Sequence, residues 1–227
     1  QAAIRHTYLC SLDAVSLNPP HTPGRFADIV TSSLDQDMRN LATTRASLDS
    51  KTMQQVARLI QAAPVSLAIG GGSHGGLALI FSHLCRLMGL PVDAEIRGGI
   101  SLAARLSQIE PGHVVIGSSA WWVLNDTREG LAYAREQGAT TIAIADSRAS
   151  PLAQVADHVL ITRSESVCFN QSLVGHLAIV NAIVAEIATN GSQEIQQRML
   201  QSTAIAERLG AVWQHTGTEF EDGTQAP

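Results

Sequence analysis

Five short apolar runs, at 65–69, 91–94, 114–117, 141–145 and 158–162, are separated by stretches of helical period. Runs this short, rich in Val, Ile and Ala, suit strands buried on both faces. Between them Leu77, Phe81, Leu84 and Met88 recur at helical spacing and stop at Gly89. Asp126-x-x-Glu129 has the form of a capping box for a helix ending near Gly138. Strands alternating with helices imply right-handed crossovers and a parallel sheet covered on both faces, an α/β three-layer arrangement.

Ahead of this rhythm, Leu34, Met38, Leu41 and Leu48 fall on one helical stripe. A second stripe, Met53, Val56, Ala57 and Ile60, follows the capping candidates Asp49 and Ser50. Behind it, two more helices are expected over 172–190 and 193–209, parted by Asn190-Gly191. Asn18-Pro19-Pro20 and Thr22-Pro23-Gly24 are turn signals, so residues 1–33 read as a linker or arm. Residues 34–190 then form the domain with its leading helix, 191–213 a C-terminal helix, and 214–227 a disordered tail.

Lys+Arg 15 against Asp+Glu 20 leaves a net charge of −5 with no basic cluster, which argues against nucleic-acid binding by this chain alone. Cys10, Cys85 and Cys168 are odd in number and widely spaced, as suits a reducing compartment rather than a disulfide scaffold. The longest apolar stretch, 173–188, is interrupted by His176, Asn181 and Glu186, so no membrane span is expected and the chain reads as cytoplasmic. The histidines show no metal-ligand spacing, and neither a metal nor a cofactor is expected. His176 and Asn181, on an otherwise apolar helix, read as core or interface polar groups.

The chemistry-bearing segment is Ile69-Gly-Gly-Gly-Ser-His-Gly-Gly76, between an expected strand and an expected helix. Glycines allow a tight turn to approach a ligand, and the helix start offers free N–H groups. The dinucleotide fingerprint is not met: Gly70, Gly72 and Gly75 lack its spacing, although Asp93 and Glu95 lie where its acidic residue falls.

Gly70 to Ala78, followed by Leu84-Cys-Arg-Leu-Met-Gly-Leu-Pro91, resembles the first loop and helix of a SIS (sugar isomerase) domain. Gly138-Ala-Thr-Thr-Ile-Ala-Ile-Ala-Asp146 and Ser150-Pro-Leu-Ala-Gln-Val-Ala-Asp157 are similar to that domain's fourth strand and its S-P-L-A-x-x-A-D run. Asn40-Leu-Ala-Thr-Thr44 with Leu48-Asp49 is similar to the leading helix in RpiR-type bacterial transcriptional regulators. The resemblance implies a flavodoxin-like five-stranded parallel sheet flanked by helices, a homodimer, and a sensor of carbohydrate derivatives. DNA would then be read by a helix-turn-helix part upstream of Gln1, consistent with the missing initiator Met.

The departures are specific. The family's S-x-S-G-x-T loop falls on Ser119-Ala-Trp121-Trp122-Val-Leu124, where only the first serine is kept. Each lost charge-assisted hydrogen bond is worth roughly 1.5–3 kcal/mol, so the phosphate cradle is expected to be absent. One indole of the pair can line a pocket at the sheet's carboxyl edge, or both can plug it. Ser73 and His74 stand at the other loop, and Arg97 could fork a ligand carboxylate. Glu165 sits where enzymatic relatives carry a functional glutamate. The expected ligand-binding set is Gly70, Gly72, Ser73, His74, Arg97, Ser119, Trp121, Trp122 and Glu165, with no catalytic residue and a sugar acid or related metabolite as effector. The alternatives are an aldose–ketose isomerase with Glu165 as base and a degenerate domain that only dimerises.

Overall fold

The computed structural model describes residues 25–167 and 170–211. Two helices, α1 (Arg25–Ser47) and α2 (Ser50–Ala62), precede β1 (Ser66–Ile69). Then follow α3 (Ser73–Leu87), β2 (Val92–Glu95), α4 (Gly99–Leu106), β3 (Val114–Ser119), α5 (Asn125–Glu136), β4 (Thr140–Ala145) and a 3-10 turn (Ala153–Val155). β5 (His158–Ile161), α6 (Val174–Asn190) and α7 (Gln193–Arg208) complete the described elements. All pairings are parallel, in the order β2-β1-β3-β4-β5.

Side chains alternate across the sheet and feed two cores. Ala68, Val114, Ile116, Ile142 and Ile144 join α2, α3 and α6 on one face. Leu67, Ile69, Val115 and Ala143 join α4 and α5 on the other. This is the expected three-layer α/β sandwich, with the chain reversing its direction of growth between β1 and β3. Ligand crevices in such sheets open at that point, beyond the strands' carboxyl ends.

Asp49 caps α2 as its sequence implies, its carboxylate accepting from the backbone N–H of Lys51 and Thr52. The capping box at Asp126 does not form. α5 begins two residues earlier, with Leu124 at the cap position, and Asp126 reaches across to accept from the Gly99 backbone N–H at 3.2 Å, while Glu129 pairs with Arg128. α1 starts at Arg25, nine residues ahead of the expected Leu34, because nothing after Gly24 breaks it and Asp28 favours the first turn. Its expected apolar stripe does not enter the core: Leu34 is 59% and Met38 60% exposed, with Leu41, Ile29 and Val30 also exposed. Only Leu48, past the helix end, packs against the core. Among its described side chains, those that α1 buries are polar, Asn40 and Thr44. The Asn40 side-chain amide donates to the Glu165 carbonyl at 2.7 Å, and the Thr44 hydroxyl accepts the Arg163 N–H at 3.0 Å.

Gly175 makes this junction possible. A Cβ there would lie 2.8 Å from the Arg163 carbonyl oxygen and collide with the Thr162 hydroxyl. Gly175→Ala is expected to destabilise the fold by about 1–3 kcal/mol through overpacking, read as a lower denaturant midpoint at unchanged slope. Residues 1–24 and 212–227, with Cys10, the tail and part of the expected arm, lie outside the described residues, as does Cys168. Cys85 is buried, and burial pushes its thiol up to about 12, which leaves it unreactive.

Candidate functional site

β1 ends at Ile69 because the glycines behind it cannot hold a strand against their entropy, and Gly72 turns the chain at φ +56° into α3. Gly70 is needed for packing as well, since a Cβ there would press on the His74 backbone at 3.0 Å. Gly70, Gly71 and Gly72 wall one side of a cavity of about 150 Å³. Glu95, Ile96, Arg97 and Gly98 form the β2 side, and Leu124, Asp126 and Thr127 the β3 side. The cavity therefore lies at the sheet's reversal point.

The expected residues divide around it. Gly70, Gly72 and Arg97 line the cavity. Arg97 is not a free clamp: its guanidinium straddles the Glu95 carboxylate at 3.1 and 2.8 Å, and its backbone N–H adds a third bond at 2.9 Å. The Arg97 guanidinium holds the buried Glu95 carboxyl below the usual carboxylate range. Ser73 is exposed on the first turn of α3. Glu165 is exposed, ion-paired with Arg163 at 3.6 Å, and not part of the cavity wall.

His74 turns inward. Its Nδ1 lies 2.8 Å from the Ser118 hydroxyl and its Nε2 2.7 Å from the Gln171 amide nitrogen. A ring accepting from Gln171 at Nε2 carries its proton at Nδ1 and donates it to Ser118, so it cannot serve that serine as a base. His176 meets His74 edge-on with ring centroids 4.9 Å apart. It is fully buried, as its reading as a core polar group requires, yet neither ring nitrogen makes a well-formed hydrogen bond. Desolvation lowers His74 to about 4, opposed by the Gln171 bond. It lowers His176 to about 3, with help from His74 and against the Ser119 backbone. Both rings are neutral at pH 7.

The second loop is closed on itself. Ser119 is buried and its hydroxyl donates to the Trp122 carbonyl at 3.1 Å. Trp121 takes a positive φ of 48°, and the Trp122 N–H folds back on the Ala120 carbonyl at 2.5 Å. Such a three-residue turn is strained for a residue with a side chain. The Trp121 N–H donates to Asp146 Oδ2 at 3.0 Å, while Oδ1 is buried without a partner. That burial raises the Asp146 carboxyl. Trp121 is half-buried and Trp122 is 60% exposed; neither indole lines the cavity. Leu124 lines it instead, its methyl lying where a Cβ on Gly71 would go.

The sequence pattern of the SIS domain family matches residues 59–190. The chain belongs to the SIS domain family. Its RpiR-type character is equally plain. The sugar isomerase domain of the RpiR transcription factor from Sphaerobacter thermophilus is 30% identical, covers 79% of this chain and 98% of that one, and superposes with a TM-score of 0.75. An uncharacterized HTH-type transcriptional regulator of Haemophilus influenzae is 25% identical over 160 residues, 69% of this chain. This SIS domain spans about half that regulator's length, 55%. The NanR protein of Vibrio vulnificus, complexed with ManNAc-6P, shares the fold at 17% identity and a TM-score of 0.72, over 83% of this chain and 72% of that one.

Sequence reasoning did not assign Asp126, Asp146, Ser118 or Gln171 to the site. Asp126 carried a signal that pointed elsewhere, to a helix cap. The others meet their partners only through the fold.

Proposed function

We propose that this SIS domain is the effector-sensing and dimerisation part of an RpiR-like transcriptional regulator working in the cytoplasm, and that it takes a small sugar-like or acidic metabolite without a phosphate anchor. The observation that carries the reading is the closed second loop. The Ser119 hydroxyl and the Trp121 N–H are spent within the chain, and Leu124 puts a methyl where a hydroxyl would serve a phosphate. The relatives at 25–30% identity are regulators. NanR's complex with ManNAc-6P supports a carbohydrate derivative as effector. In this reading Gly70, Gly72, Ser73, His74, Arg97 and Ser119 shape or support the effector cleft, with Trp121, Trp122 and Glu165 at its outskirts.

Dimerisation draws support from α1, whose exposed Leu34, Met38 and Leu41 make a stripe that a second copy would cover. DNA contact belongs to a helix-turn-helix part outside this chain. An isomerase needs a base at the substrate's C1–C2 carbons and a firm anchor. Glu165, not on the cavity wall and paired with Arg163, is not positioned by this structure as that base, and the second loop that would be the anchor is closed.

The isolated chain is expected to be a dimer by light scattering and to leave duplex DNA unshifted at physiological salt. It is also expected not to turn over hexose, pentose or heptose phosphates. Salt-sensitive DNA binding by this chain, or turnover that vanishes in Glu165→Gln, would overturn the reading.

A further inference from the structure

Three features at the carboxyl edge of the sheet are of the kind that hold anions, and each already holds a carboxylate of this chain. The Arg97 fork is filled by Glu95, with both oxygens engaged. The N–H of Gly99, opening α4, is taken by Asp126. The strained-loop N–H of Trp121, on the second loop and outside the cavity wall itself, is taken by Asp146. Each is a separate contact from a different part of the chain.

From this we infer that the cleft selects a hydroxyl-rich ligand with no acidic group, an uncharged sugar or an amino sugar, over sugar acids and sugar phosphates. The inference rests on the effector-sensing reading and narrows it to one of its two ligand chemistries. Glu95, Arg97 and Asp126 are the charged groups of the cavity wall and leave it one net negative charge. An incoming carboxylate finds only the outer Nη1 edge of Arg97 open, and there it lies beside the Glu95 carboxylate and shares the cavity with Asp126. A sugar hydroxyl can donate to the free lone pairs of these carboxylates without displacing either. An ammonium group gains Coulomb energy from the same charge. Ile96 and Leu124, both partly exposed at the wall, suit the C–H face of a pyranose ring.

The test uses the full chain and inorganic phosphate as the anion probe, followed by calorimetry and by the shift in melting temperature. Wild type is expected to show no saturable phosphate binding. Asp126→Ala frees the N–H groups of Gly99 and Thr127, Asp146→Ala frees that of Trp121, and each removes one carboxylate. Each is expected to gain phosphate affinity at least about tenfold, the scale of one charge-assisted hydrogen bond. Asp126→Asn and Asp146→Asn, which remove charge but keep an acceptor on the N–H, are expected to fall between. Far-UV circular dichroism and the unliganded melt certify that each variant is folded.

Saturable millimolar phosphate binding by wild type, or no gain in either folded alanine variant, overturns the inference. A second arm offers hexoses, hexosamines, aldonic acids and hexose 6-phosphates of matched stereochemistry, and a hit confined to the acidic members overturns it too. The regulator reading is judged by DNA shift and turnover, which do not enter this titration, so the two can fail separately.

Discussion

Acidification from pH 6.5 to 4 is expected to remove about 3 kcal/mol of stability through His74 alone, at roughly 1.4 kcal/mol per pH unit. His176 is expected to add a loss of the same sign. The unfolded rings take up protons near 6.5, whereas the folded His74 resists until about 4 and the folded His176 until about 3. Throughout that window the unfolded state binds more protons, so stability falls as pH falls. The two effects reinforce each other because the rings lie 4.9 Å apart and two charges there would repel. Asp93, Glu95 and Asp157, whose carboxyls are held below their usual values, add a further loss once the pH drops under the unfolded carboxylate range. Asp146 runs the other way: its raised carboxyl favours the fold at acid pH, and that contribution is lost as pH rises.

Urea melts at pH 7.5, 5.5 and 4.5 read the slope directly. His176→Leu is the informative variant, since the ring it removes makes no well-formed hydrogen bond and its loss leaves Ser118 and Gln171 paired. It is expected to keep or raise stability at pH 7.5 and to make the pH dependence shallower. A wild-type stability that stays flat from pH 7 to 5 would refute the buried neutral pair.

The sheet was legible because its strands are buried on both faces, so each writes a short continuous apolar run between glycines or helical stretches. β1, β3 and β4 appear within a residue or two of the runs that announce them. α4 left no such trace: it has eight residues, and only Leu102 and Leu106 are buried. Two apolar residues one turn apart do not establish a period. α1 misled in the opposite sense. Its Leu34-Met38-Leu41 stripe has true helical spacing, but spacing names a face and not what covers it, and the chain's own core is covered elsewhere.

The same distinction governs the site. Gly70 and Gly72 were readable because backbone freedom is a property of the residue itself. Which carboxylate takes which N–H is a property of the fold: Asp146 and Trp121 are 25 positions apart, Gln171 and His74 97. Arg97 illustrates the cost of reading residues singly. Its position near the carboxyl edge was right for an anion clamp, and the partner that fills it stands two residues earlier. The tryptophan pair replaces a serine and a glycine of the family loop, yet the residue type alone does not say that Trp121 takes the positive φ and Leu124 faces the cavity.

Restoring the family's hydroxyls, Trp121→Ser with Leu124→Thr, is expected to raise affinity for glucose 6-phosphate or inorganic phosphate by about two powers of ten. Two regained hydroxyl-to-phosphate hydrogen bonds at roughly 1.5–3 kcal/mol each would allow two to four. The lower figure applies because Asp146 still occupies the Trp121 N–H and its negative charge stays beside the loop. Adding Asp146→Asn to the pair should recover part of the difference, which makes the three substitutions non-additive in a defined direction. Threonine at 124 also withdraws the methyl that sits against Gly71, opening the cavity toward the second loop. Loss of Trp121 removes one indole, leaving Trp122, more than half exposed, as the fluorescent reporter on that loop. Equal phosphate affinity in wild type and the double variant would mean that something other than the missing hydroxyls sets the loop's selectivity. A gain with Asp146 intact that matches the gain without it would show that the buried carboxylate does not compete for the seat.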